Sequence, residues 1–384
     1  MQAPAAPWTP PLAHDSEALS VVALGMDEAI RAAQAWSDLA GRALEPNPFF
    51  ESAFVGPAAR LLARAGDPHV ATAWRGSRMV ALLPLATPRF GRLAPTLSAW
   101  THDQAVLGSP LLDPDDGRDG FRAILHWLRR RNPAAGGLLL PFVAEEGAAA
   151  AAIREACGLD FPLSRLDPHR RAALVGGERF EALLDRGVSA KKRKEFGRLR
   201  RRLAEAGALR VSSAETPAEV ERASDVFLAM EAKGWKGRSG TAFAASPRGS
   251  EFLRGVTRGL AEQGACRIDV LHAGAAPVAA AILLGGRRRA LYWKTAYDES
   301  FAAFSPGALL TLDVSRRQLD DGVALTDSCA VADHPMIDRI WPDRIAMADW
   351  WIALRPTGPA LLAMLRARRA ARSVAKTALR RLIR

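Results

Sequence analysis

Tyr292-Trp293-Lys294-Thr295-Ala296-Tyr297-Asp298, followed five residues later by Phe304-Ser305-Pro306-Gly307-Ala308-Leu309-Leu310, is the stretch from which the fold is read. The first segment reads as a strand with a polar, aromatic tip. The second reads as the start of a helix, with Ser305 before it and Pro306 in its first turn. Both tyrosines of the chain lie here, and Lys294 is one of only seven lysines among 53 basic residues. In a chain that nearly always uses arginine, a lysine between Trp293 and Tyr297 marks a candidate site.

Outward from this stretch, the second half reads as helices over 219–232 and 249–263, strands over 266–272 and 278–284, the strand 291–295, the helix 308–319 and a strand over 323–329. The first half repeats that order: helices over 27–44 and 52–65, strands over 70–74 and 79–85, a strand at 97–101, a helix at 119–131 and a strand at 137–143. Trp100-Thr101-His102-Asp103 with Leu107-Gly108-Ser109-Pro110-Leu111-Leu112 echoes the opening stretch. These parallels predict an α/β protein with mixed sheets, built from two copies of one unit with a period of about 190 residues.

At 384 residues, with 49% hydrophobic and 24% charged residues, the chain suits two globular domains. Its three cysteines form no C-x-x-C pair, so neither a disulfide framework nor a zinc cluster is expected. The scattered histidines give no metal motif, and no G-x-S-x-G elbow is present. No signal peptide or apolar span is evident, and a cytoplasmic location is expected. The net charge of +12 is concentrated: residues 186–202 carry +8 and residues 356–384 another +8, leaving −4 for the rest. The first cluster is a helix capped by Ser189, with Phe196, Leu199 and Leu203 on one face. The second is a basic amphipathic tail.

Ser189-x-Lys-Lys-Arg-Lys-Glu, Glu231-Ala-Lys-Gly-Trp-Lys236, Trp293-Lys-Thr-Ala-Tyr-Asp298, Ser305-Pro-Gly-x-Leu-Leu310, Asp327-Ser-Cys and Asp333-His-Pro-Met-Ile-Asp-Arg-Ile-Trp341 together resemble the FemAB-like, CelD-type acetyltransferases of the GNAT superfamily. The resemblance spans about residues 180–355 and extends weakly to the first half. It implies two tandem GNAT-like domains in three α/β/α layers: a flexible arm at 1–16, a degenerate domain at 17–175, a catalytic domain at 176–355 with a basic linker helix at 189–205, and a tail at 356–384. It also implies acyl transfer from acetyl-CoA or another acyl-CoA to a primary amine on a small molecule or sugar, in exopolysaccharide or cell-envelope synthesis. The glycine-rich pyrophosphate loop of most GNAT enzymes is replaced here by Phe301 to Ala308. That leaves an aminoacyl-tRNA donor as an alternative.

Acyl transfer needs an anchored donor, a neutral amine and stabilisation of the oxyanion and the leaving thiolate. Phe304, Ser305, Pro306 and Gly307 are candidates for the anchor, since a helix start offers unpaired N–H groups and the positive end of a dipole. Arg287 and Arg288 are candidates for the CoA phosphates. Asp298, Asp327, Glu231 and His334 are candidate bases, and Tyr297 a candidate acid. Lys233, Trp235, Lys236, Trp293 and Lys294 are candidate acceptor contacts. The two basic clusters keep open a contact with tRNA, peripheral association of the tail with an anionic membrane at the inner face, and a non-catalytic binding module.

Overall fold

The computed structural model describes residues 18–63, 68–86 and 96–367. They form two units: 18–44, 68–86, 96–168 and 347–367 in the first, 45–63 and 169–346 in the second.

In the first unit Leu19–Leu24 pairs antiparallel with His69–Arg75, which turns back at Gly76 into Arg78–Ala86. Thr96–Ala99 follows antiparallel, and Gly137–Ala144 lies parallel to it. A parallel pair needs a crossover, here the helix Gly117–Arg131. Phe121, Ile124, Leu125 and Leu128 recur at helical spacing along it and are its buried stripe.

The second unit repeats this order. Leu209–Ala214 pairs antiparallel with Cys266–Ala273, then come Ala276–Gly286 and Arg289–Tyr297, again antiparallel. Leu325–Asp327 is parallel to the last of these and is reached through the helix Pro306–Asp320. Residues 278–284 are buried without a break, which explains their unalternating apolar run. The mixed α/β class and the repeated strand order are therefore as the sequence predicts. Residues 19–24 and 209–214, not read as strands, are the outer strands of the two units.

The units do not follow a cut between 175 and 176. The helix Ser52–Leu61 belongs to the second, where Phe54 meets the Phe252 and Trp293 rings edge-on, each at 5.7 Å. Pro247–Glu262 comes close to it because Gly255 and Gly259 face Pro57 and Ala53; a Cβ there would lie 3.3 and 3.2 Å from those side chains.

The strands that end the two copies are also exchanged. Residues 173–175 of Leu163–Val175 pair antiparallel with Leu325–Asp327 in the second unit. Residues 347–353 of Asp343–Ala353 pair antiparallel with Gly137–Ala144 in the first. Neither strand was read from the sequence.

The helical residues 358–367 correct the reading of the tail. Leu362 and Leu365 are buried against Leu139, Leu166 and Trp351, so these leucines are not free to enter a membrane. The arm at 1–16 and residues 368–384 lie outside the described residues.

A chain stopped after Ala346 is expected to lose the native first unit, not merely a tail, because it loses the buried Trp350 and Trp351 and bares the edge of Gly137–Ala144. The checks are soluble yield and near-ultraviolet circular dichroism; a native, monodisperse product would contradict the assignment.

Candidate functional site

Arg289–Tyr297 pairs along its length with Ala276–Gly286, but with its parallel neighbour only at Ala290–Thr326 and Leu291–Asp327. Beyond those positions the two strands part, and a cavity of about 680 Å³ opens between them in the second unit. Tyr292, Trp293, Lys294 and Thr295 all line it. A regular strand would turn alternate residues away. The register steps from Ile282–Lys294 to Leu283–Tyr292, leaving Trp293 as the extra residue of a bulge, and this brings consecutive side chains to the cavity.

The floor is the start of Pro306–Asp320. Ser305 stands before it with φ 51° and ψ 51°, a left-handed backbone unusual for serine. Cys329, which also lines the cavity, and Asp333, just before His334, have positive φ too. Such strain collects where surroundings dictate the backbone, often at functional sites. The helix start is fixed from behind. Thr311 Oγ1 donates to the Gly307 carbonyl at 2.8 Å, and the Tyr292 hydroxyl lies 2.9 Å from that oxygen, which leaves Tyr292 to donate. Trp341 Nε1 donates to Ser315 Oγ at 2.8 Å and Ser315 donates to the Thr311 carbonyl at 2.6 Å. Burial pushes the Tyr292 hydroxyl pKa up, so it stays protonated. A Cβ on Gly307 would meet only Tyr297 at 3.7 Å and Met336 at 4.0 Å, so the fold leaves room there on the cavity side.

Among the described residues, four basic side chains line the cavity, Lys192, Lys236, Lys294 and Arg339, and no carboxylate does. Lys294 lies over the Trp293 and Phe243 rings at 5.4 and 5.6 Å. Lys236 pairs with Glu231 at 2.8 Å and Lys192 with Glu195 at 3.0 Å. Low-dielectric walls carrying one sign of charge favour an anionic ligand.

The candidate residues separate into two groups. Tyr297, Ser305, Pro306, Gly307, Trp235, Lys236, Trp293, Lys294 and His334 are brought to the cavity. Phe304 is not in its wall; it carries the Arg202 guanidinium over its ring at 5.4 Å. Lys233 is exposed at the end of its helix, and its charge reaches Asp298. Arg287 and Arg288 sit in the turn at the other end of the strand, about 13 Å by strand rise from Tyr292. The charge in the cavity comes from Lys192 and Arg339 instead. Both residues stand in stretches that carry the family resemblance, but the sequence gave neither of them a role in the site.

The carboxylates proposed as bases serve other ends. Asp298 accepts from the Ser300 amide at 2.9 Å and its hydroxyl at 2.7 Å, capping the next turn, and the hydroxyl bond keeps its pKa low. Glu231 accepts from the Phe243 amide at 2.8 Å and borders only a side pocket of about 30 Å³. Asp327 is fully buried, 2.7 Å from Arg171 and 3.0 Å from Arg289, and accepts from the Cys329 amide at 2.9 Å. Burial alone would push its pKa up; the two guanidinium groups outweigh it and hold the carboxyl below its ordinary value. His334 reaches the cavity, but its Nδ1 accepts from the amides of Met336 and Ile337, both at 3.4 Å. A ring that accepts at Nδ1 in its neutral form carries its proton on Nε2 and donates from there.

The profile of the GNAT acetyltransferase domain matches residues 190–334, the segment that holds every wall of this cavity except the loop beyond His334. Residues 190–334 are thus similar in sequence to a GNAT acetyltransferase domain. Solved structures agree at the level of the fold. FemX is similar over 87% of this chain and 96% of its own, at 9% identity and a TM-score of 0.55. The C-terminal domain of a putative lysylphosphatidylglycerol synthetase from Agrobacterium fabrum is similar over 88% and 95%, at 14% identity and a TM-score of 0.55. No curated protein sequence matches the chain.

Asp327→Asn is expected to cost about 3–5 kcal/mol at neutral pH, because two guanidinium groups stay buried without their counter-charge. The low folded pKa fixes the pH trend. The carboxylate stabilises fully above its unfolded value, near ~4, and that stability is lost as pH falls through the folded value. The gap between Asp327→Asn and the parent in urea unfolding should therefore shrink in strong acid; a gap independent of pH would contradict the assignment.

Proposed function

We propose that the protein transfers an acyl group from an acyl-CoA thioester to a primary amine in this cavity. The observation that carries the reading is a pocket with four lysine and arginine side chains and no carboxylate, set where two parallel strands part above a helix start. Diphosphate suits the positive helix end and the cations, and the absent Cβ of Gly307 lets a ligand approach the backbone. The parted strand edge suits the amides of a pantetheine arm.

The amine nitrogen attacks the thioester carbonyl carbon, a C–N bond forms and the C–S bond breaks. Tyr297 donates its phenolic proton to the leaving thiolate, and the His334 Nε2–H supports the oxyanion. Among the described residues no carboxylate lines the cavity to take the proton from nitrogen. The amine arrives neutral and loses its proton to water after attack. Such an enzyme follows the acidity of its acceptor: kcat/KM should rise with pH up to the amine's own pKa and move when an acceptor of different pKa is used. A profile fixed at one pKa for every acceptor would show that a protein base had been overlooked.

Isothermal calorimetry with acetyl-CoA and longer acyl-CoAs tests the donor directly; no binding of any CoA species overturns the reading. Gly307→Val should keep its melting temperature and lose on the order of tenfold or more in CoA affinity. Tyr297→Phe should lower kcat about 10²-fold with little change in the KM for acyl-CoA. An aminoacyl-tRNA donor would instead make turnover sensitive to ribonuclease.

A further inference from the structure

We propose that the mouth of this cavity is a docking surface for an anionic phospholipid bilayer. The exposed apolar side chains are the first reason. Trp235, 55% exposed, and Tyr297, 37% exposed, line the cavity, and Val331, 74% exposed, follows Ala330 of its wall. Trp235 does not stand out by chance of a loose loop. Glu299 accepts from its amide at 2.6 Å and holds Arg238 at 2.8 Å, so the turn presenting the indole is tied on both sides. Rings with an apolar body and a polar edge favour the membrane interface. An exposed aliphatic valine next in sequence to the cavity wall suits acyl chains better than the bases of a nucleic acid, which stack on aromatic rings.

Charge is the second reason. On the helix Ala190–Ala204 the inward and flanking basic residues have acidic partners: Lys192 with Glu195, Arg193 with Asp185, Arg200 with Asp313. Lys191, Lys194, Arg198 and Arg201 are exposed and have no acidic partner among the described residues. Their spacing puts them on one outward face about 15 Å long. Lys191 precedes Lys192 of the cavity wall, so the stripe starts in the helix turn that reaches the cavity and runs along its outward side. Exposed Arg339 adds another cation there. Unpaired cations with exposed Trp, Tyr and Val are what an anionic lipid surface recognises. If the proposed acyl transfer holds, a substrate with an apolar anchor could reach the cavity from the bilayer; the docking itself does not depend on that reading.

The test is co-sedimentation of the full chain with vesicles of phosphatidylcholine alone and of phosphatidylcholine with phosphatidylglycerol. Binding should require phosphatidylglycerol, weaken with salt, and quench or blue-shift tryptophan fluorescence less in Trp235→Ala. The combined charge reversal Lys191→Glu, Lys194→Glu, Arg198→Glu, Arg201→Glu should keep the circular dichroism spectrum and lower vesicle partition on the order of tenfold or more. CoA calorimetry on this variant separates the two ideas: loss of vesicle binding with CoA affinity kept supports docking whatever the donor proves to be. Equal partition of variant and parent would assign vesicle binding to another part of the chain, the basic residues after 367 included, and overturn the proposal. Failure to bind vesicles, with retention of a single-stranded RNA oligonucleotide lost in the variant, would overturn it in favour of nucleic acid.

Discussion

A single buried carboxylate holds the second unit's working end in register. Asp327 receives Arg171 from one strand, Arg289 from another and the Cys329 amide from the segment that follows it. Three chain segments are thereby pinned at the level where the parallel strands still pair, and the gap begins one step beyond. Without that clamp there would be no reason for the strands to meet at Leu291 and separate after it. The first unit uses the same chemistry. Asp113, fully buried, accepts from Arg42 at 2.8 Å, Arg78 at 2.7 Å and the amides of Asp115 and Asp116 at 3.0 and 3.1 Å. An arginine-rich composition thus supports both units through buried forks of guanidinium around one acid, an arrangement that lysine with its single charged nitrogen cannot reproduce.

That division of labour explains the scarce lysines. Arginine makes the buried carboxylate forks of both units, while Lys192, Lys236 and Lys294 line the cavity beside Arg339, two of them also pairing with Glu195 and Glu231. The sequence singled out Lys294 by its rarity, and the structure places that lysine in the cavity wall. The same reasoning failed for Asp327 and Glu231. A carboxylate at a strand or helix end reads alike as base or anchor, and what separates the two is the number of cations and amides that converge on it from distant segments. His334 is a similar case: its residue type suits proton transfer, while two backbone amides decide which nitrogen keeps the proton.

The fold was legible wherever periodicity and local punctuation agreed. Gly76 between two apolar runs gave one hairpin, and Ser305-Pro306 gave the helix start. Less visible were Leu163–Val175 and Asp343–Ala353, which open with polar residues and become apolar only toward their ends. Their alternation is broken because each serves two environments along its length. No local pattern shows that Phe54 belongs with Phe252 and Trp293, some two hundred residues away, and the bulge at Trp293 depends on a partner strand the sequence does not name.

The exchanged strands bear on the order in which the protein is made. Gly137–Ala144 waits for partners at Met347–Ala353, so the sheet of the first unit closes only after roughly two hundred further residues have been made. Contacts of such long sequence separation are slow to form. During synthesis the nascent first copy presents an unfilled apolar edge for the whole time needed to translate the second, and that interval, rather than the finished stability, is when this chain has most need of a chaperone.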